Sequence, residues 1–355
     1  MRSPLARWQQ RQARRRFMPR AERSKTGITA KIGLTLLLLI ILAGALLEMR
    51  RGRTGAERAF VQYARENALD PLDLLEVAGR SRRLVFLADV SSAPAPKRFA
   101  ARAVERLAKG PGLDLVVLDV PAEEQPFIDQ YLATTPEDAS LLLSRPRAIR
   151  EGDGASRDLV NLYRAVWRVN AALGAYRRIR IVAADHPCWP PPRAVSPHEA
   201  ARTFGERDAH MVNALNARGL DRNPNARVLF FVDGLHVLKS GAGRVVTGGT
   251  APVEVKWLAA RLAEQYQGDV FSILVDATPS RVITTDAAAY RGTHLGDPLE
   301  RAGVRTGIAL RTAPPLDAVS RTPLRVVGTT GVEFMLEPRA TPLSRLADAY
   351  IYFGN

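Results

Sequence analysis

Four apolar runs in this chain end in a carboxylate, and two of those ends add an imidazole within three residues. "RLVFLADV" supplies Asp89, with Ser91 just beyond it, and "LDLVVLDV" supplies Asp119. "RIRIVAADHP" supplies Asp185 next to His186, and "ARVLFFVDGLHVLKSGAG" supplies Asp233 with His236. Four carboxylates and two imidazoles at one edge are the raw material of a general acid–base cluster or of a cation site. Taken singly, each is ordinary: Asp at a strand end serves as a helix N-cap or a turn residue. His236 alone reads equally as a hydrogen-bonded structural histidine. Ser91 becomes a nucleophile only with a base in reach, and His236 is the applicant.

These residues share an edge only if the runs carrying them are parallel strands. The pattern supports that. Arg83–Val90, Leu113–Val120, the run around Ile181, Ala226–Gly234 and Asp269–Ala277 are short and continuously apolar. Between them lie "RFAARAVERLAKG", "RDLVNLYRAVWRVNAAL", "ERDAHMVNALNARG" and "VEVKWLAARLAEQYQ", with helical spacing. Strands alternating with helices predict an α/β fold with a largely parallel central sheet and helices on both faces, where ligands bind outside the carboxyl ends of the strands. Thr54–Gly79 reads as one or two helices broken near Pro71. "SSAPAPK", "HPCWPPPRAVSP" and "SGAGRVVTGGTAP" read as loops completing the edge, and Leu295–Asn355 as short strand-like runs and turns.

The net charge of +15 suggests nucleic acid until its distribution is examined. Up to Arg58 there are 14 Lys/Arg against 3 Asp/Glu, a net of +11, which leaves +4 for the other 297 residues. A nucleic-acid-binding domain carries its own basic stripe, so no nucleic-acid partner is expected. The single cysteine, Cys188, excludes an internal disulfide and any multi-cysteine metal site. Ile32–Leu47 is apolar but for Thr35 and two glycines and spans about 24 Å as a helix, short for a bilayer unless Lys31 and Arg50 snorkel. More basic residues precede it than follow it. This predicts a single-pass anchor over 31–49 in the bacterial inner membrane, with a cytoplasmic basic tail at 1–30. A helical linker over 50–80 then leads to one periplasmic domain over 81–355. The rival reading is a cleaved signal peptide ending at Ala43–Ala45.

The order of these motifs resembles the erythromycin-esterase-like superfamily, with its ChaN-type haem-binding uptake proteins and, more distantly, the TraB/TIKI metalloproteases. "GERDAHM" (Gly205–Met211) and "FFVDGLHVLKSG" match well, "RDLVNLYRAVWRVNAAL" followed by "RIRIVAADHP" matches moderately, and "LADAYIYFG" looks like the closing strand. The departure is at the first motif. Where the superfamily has Gly-Glu-x-His, this chain has Ala88-Asp89-Val90-Ser91, so a hydroxyl replaces the imidazole that the resemblance implies would activate water. The resemblance implies a hydrolase of esters or amides, with His236, Asp89, Asp119 and Ser91 as catalytic candidates. Arg207, Asp185 and Asp208 are then expected to bind substrate, Arg207 holding an anionic group or a developing oxyanion or, in the plainer reading, pairing with a strand-end Asp. The alternative is a non-catalytic protein binding haem or another small molecule, or an interaction platform. The sequence leaves the cofactor open, with haem or a divalent cation as the candidates. Tyr131 and His198 are the haem-ligand candidates, and His186 with Cys188 lacks the further ligands a metal needs.

Overall fold

The computed structural model describes residues 34, 42, 44, 55–90, 93–149, 156–173, 177–189, 196–240, 242–246, 253–277, 296–319, 325–327, 333–336 and 342–354. The chain divides into two units, Met1–Gly55 and Ala56–Asn355. In the first, residues 34, 42 and 44 are helical, and the rest of the expected anchor lies outside the described residues. No helix among the described residues is long and apolar enough to cross a membrane.

The second unit is helical over 56–67 (α1) and Pro71–Ser81 (α2), the break falling where the sequence placed it. Asp70 caps α2 by accepting from the backbone N–H groups of Leu72 and Asp73, and Pro71 fills the first helical position, where a missing N–H costs nothing. Then follow Leu84–Asp89 (β1), Pro94–Lys109 (α3), Leu115–Pro121 (β2), Gln125–Ala133 (α4), Ser156–Ala172 (α5) and Arg180–Asp185 (β3). Pro197–Leu215 (α6), Val228–Asp233 (β4), Ala242–Val246 (β5), Val253–Lys256 (β6), Leu258–Gln265 (α7) and Val270–Ala277 (β7) come next. Ile308–Arg311 (β8), Arg325–Val327 (β9), Glu333–Leu336 (β10) and Ala349–Gly354 (β11) close the unit.

The central sheet runs β3-β2-β4-β1-β7-β11-β8, parallel throughout except for β8 against β11. Period-two alternation divides each apolar run between two cores. Val85, Leu87, Val116, Leu118, Leu229 and Phe231 face α2, α3 and α5, whereas Phe86, Ala88, Val117, Phe230 and Val232 face α6 and α7. Phe86 and Phe230 stack at 3.9 Å across the β1–β4 pair, in register. Covering both faces is why the strands read as continuous apolar runs and not as alternating ones. A separate antiparallel sheet, β6-β5-β10-β9, forms from segments after β4 and in the tail.

Three expectations need correction. "SGAGRVVTGGTAP", read as a loop completing the edge, contains strand β5 over Ala242–Val246, which pairs with β6 and β10 in the separate antiparallel sheet. α3 starts at Pro94, not at Arg98, because Pro94 and Pro96 sit in its first turn, where proline is tolerated; the Pro-rich stretch is thus partly helix. Val253–Lys256, read as the start of a helix, is a strand paired with β5. Its Val-Glu-Val-Lys alternation is a strand pattern, and the helix begins only after Trp257.

Candidate functional site

The chain passes from β1 over β4 to β2, continues outward to β3, and returns to β4 beside β1 before crossing to β7. In open parallel sheets a reversal of strand order of this kind marks the carboxyl-end edge at which ligands bind. Four adjacent strands carry carboxylates there: β3, β4 and β1 end in Asp185, Asp233 and Asp89, the last two in direct register, and Asp119 stands two residues before the end of β2 at Pro121. The edge predicted from the sequence is formed.

Each carboxylate has a defined partner. Asp89 is buried at the end of β1, and the Lys97 ammonium lies 3.2 Å from its Oδ1 and 3.1 Å from its Oδ2, with Lys97 itself wholly buried in the first turn of α3. Asp119 accepts from the backbone N–H of Asp233 at 3.0 Å. Asp233 accepts from Leu235 N at 3.0 Å through Oδ1 and so shapes the turn leaving β4. Asp185 forms a two-pronged pair with Arg207 on α6, Nε to Oδ1 at 2.9 Å and Nη2 to Oδ2 at 2.6 Å, and also accepts from His186 N. The Trp189 ring covers the Arg207 guanidinium at 4.3 Å. Burial works against the charge on Arg207, but Asp185, with Asp119 and Asp208, outweighs it and raises its pKa further. Of the two readings of Arg207, the ion pair with a strand-end Asp is what the structure contains. Its Nη1 protons lie outside that fork.

His236 is buried with Asp208, one turn-forming residue beyond the strand and one helix residue. Asp208 Oδ1 stands 2.8 Å from His236 Nδ1 and also accepts from Leu258 N at 2.6 Å. His236 Nε2 is buried with no hydrogen-bond partner among the described residues, as is Asp208 Oδ2. A carboxylate on Nδ1 fixes the tautomer that leaves Nε2 as an acceptor. Burial pushes the His236 pKa down and Arg207 adds to this, yet Asp208 and Asp233 prevail and it ends above the ordinary histidine value. A histidine pKa raised by folding contributes stability that is complete below the unfolded value and is lost as pH rises through the folded one. Acidification from about pH 8 to about pH 6 is therefore expected to stabilise the wild-type chain more than the His236→Gln variant. Equal urea midpoints shifts in the two proteins would contradict that coupling.

The structure thus unites Asp185 with Arg207 and Asp208 with His236, and sets Asp89, at the end of β1, and Asp119, two residues before the end of β2, on the strands flanking β4 and its Asp233. Ser91 lies outside the described residues. Tyr131 is buried with its hydroxyl donating to Glu137, out of reach of a haem, and the side chain of His198 lies outside the described residues. His186 and His210 meet edge to face at 5.2 Å, and Cys188 is exposed. No group of three His, Cys, Asp or Glu side chains able to hold a metal occurs among the described residues. Sequence reasoning missed Lys97 altogether; its only signal was a lysine eight residues after a strand-end Asp, within a Pro-rich stretch.

No protein-family model and no curated protein matches the chain. Solved structures do. A succinoglycan biosynthesis protein aligns over 83% of this chain and 97% of its own at 10% identity, with a TM-score of 0.54. A Bacillus cereus protein covers 83% and 96% at 12% identity, with a TM-score of 0.51. The likeness is one of fold. It spans nearly the whole of both neighbours, so a complete domain architecture is shared and not a fragment of sheet. An erythromycin esterase in its open conformation covers 78% and 92% at 12% identity, with a TM-score of 0.49.

Proposed function

We propose that this chain is a hydrolase of the erythromycin-esterase-like type, acting on an ester or amide with His236 as general base. The observation that carries the reading is the Asp208–His236 pair with its partnerless Nε2. In the reaction, Nε2 takes a proton from water as the water oxygen bonds to the substrate carbonyl carbon. The resulting imidazolium is stabilised by Asp208, and it returns the proton to the leaving oxygen or nitrogen as the scissile bond breaks. The Nη1 protons of Arg207 are the donors available to the tetrahedral oxyanion. The test is hydrolysis of a panel of aryl esters, lactones and amides by the full chain in detergent, against the His236 variant argued in the Discussion.

A second reading, a non-catalytic binding protein for haem or another small molecule, is favoured by two features of the first motif. Asp89 is occupied by Lys97, and Ser91 stands where the resemblance implies an imidazole. It predicts saturable ligand binding without turnover across the whole panel.

The anchor belongs to the same proposal. The excess of basic residues before Ile32 supports an N-terminus in the cytoplasm and a catalytic domain beyond the bacterial inner membrane. A phosphatase reporter fused after Asn355 is expected to be active and a cytoplasmic reporter silent; the opposite pattern would overturn the topology.

A further inference from the structure

Strand β7 reads Val270-Phe271-Ser272-Ile273, and Ser272 is a fully buried hydroxyl within an apolar run. Alternation places it on the same face as Val270, the face that packs against α6 and α7. A buried polar group in such a place needs a partner. The Ser272 hydroxyl donates to the carbonyl oxygen of Val237, the residue that follows His236.

That contact is one end of a larger restraint on the turn from Asp233 to Lys239. At the near end His236 N donates to Asp233 O at 3.0 Å, and in the middle Ala259 N donates to His236 O at 2.9 Å. At the far end Asp348 accepts from Ser272 N at 2.8 Å through Oδ2 and pairs with Lys239 Nζ at 2.5 Å through Oδ1, while Lys239 N donates to Leu346 O. Of these bonds, the one from Ser272 is the closest in sequence to the imidazole that a side chain supplies from the central sheet.

We propose that Ser272 is a positioning residue for His236: its hydroxyl pins the peptide after the imidazole to β7 and thereby keeps Nδ1 on Asp208 and Nε2 facing the site. This rests on the hydrolase reading for its kinetic consequence only. A loop histidine is free to swing on its turn, and a displacement of about 1 Å is enough to lower turnover by as much as 10²-fold. The strand is the rigid element that removes that freedom.

The experiment follows the imidazole itself. The full chain in detergent contains five histidines, and long-range proton–nitrogen spectra of wild type and His236→Gln assign the His236 ring by difference. Wild type is expected to hold one tautomer, with the proton on Nδ1. Ser272→Ala is expected to lose that single tautomer, to move the His236 titration down as the contact with Asp208 loosens, and to reduce kcat about tenfold with KM unchanged. Ser272→Thr, which keeps the hydroxyl, retains the wild-type tautomer. Should Ser272→Ala not fold, Lys239→Met releases the other end of the same turn and is expected to give the same spectral change. Ser272→Ala with a lowered Tm but a wild-type His236 tautomer and titration would overturn the proposal, leaving the hydroxyl a packing feature. Loss of the tautomer in a chain that hydrolyses nothing would uphold the positioning role and overturn the hydrolase reading instead.

Discussion

Replacing His236 by Ala is expected to lower turnover of any hydrolysed substrate by about 10²–10⁴-fold, the range for loss of a positioned general base. The effect is expected on kcat more than on KM, because in the proposed reaction the imidazole acts on the proton in flight and not on the bound substrate. Asp208→Asn is expected to reproduce most of that loss while leaving the ring in place. An amide on Nδ1 no longer favours the tautomer with a free Nε2, and it gives no charge to stabilise the imidazolium. The measurement is kcat and KM for wild type and both variants on one substrate from the panel, with Tm recorded to separate misfolding from lost chemistry. Unchanged turnover in His236→Ala would remove this residue from the mechanism. Loss in His236→Ala with full activity in Asp208→Asn would leave His236 in the mechanism but not the dyad.

How much of this was legible in the sequence depends on the range of the interactions involved. The five central strands were readable because burial on both faces makes each of them continuously apolar, a property of the segment itself. The carboxylates near their ends were readable for the same reason, since Asp89, Asp185 and Asp233 each terminate such a run, and Asp119 interrupts one two residues before β2 ends at Pro121. The partners were not. Whether Arg207 is spent on Asp185 or turned toward a ligand depends on where α6 lies against β3, and no local pattern encodes that. Asp208 stood next to Arg207 as a substrate-binding candidate, yet its carboxylate meets the imidazole of His236, 28 positions along the chain. Strand β6 was hidden for a different reason: four alternating residues are outweighed by the long amphipathic pattern that follows them. Lys97 and Ser272 left the faintest traces, because a lysine after prolines and a serine in a strand are both common on surfaces, and only tertiary packing buries them.

The Lys97–Asp89 pair carries the second large prediction. Lys97→Met keeps the length and apolar stem of the side chain but leaves Asp89 buried without its ammonium. Breaking a buried pair from one side destabilises by about 3–5 kcal/mol, because the carboxylate stays buried without this countercharge. The double variant Lys97→Met with Asp89→Asn removes both charges, and most of the lost stability is expected to return, since two neutral groups of similar shape pay no desolvation penalty of this size. Urea unfolding of the wild type and the two variants reads both expectations directly. A Lys97→Met penalty that Asp89→Asn fails to relieve would mean that the lysine is held by packing of its stem and that Asp89 draws its stabilisation from elsewhere. The expected pattern would instead identify Lys97 as the countercharge that lets a carboxylate stand on the central strand, at the place where the resemblance implies that an imidazole follows.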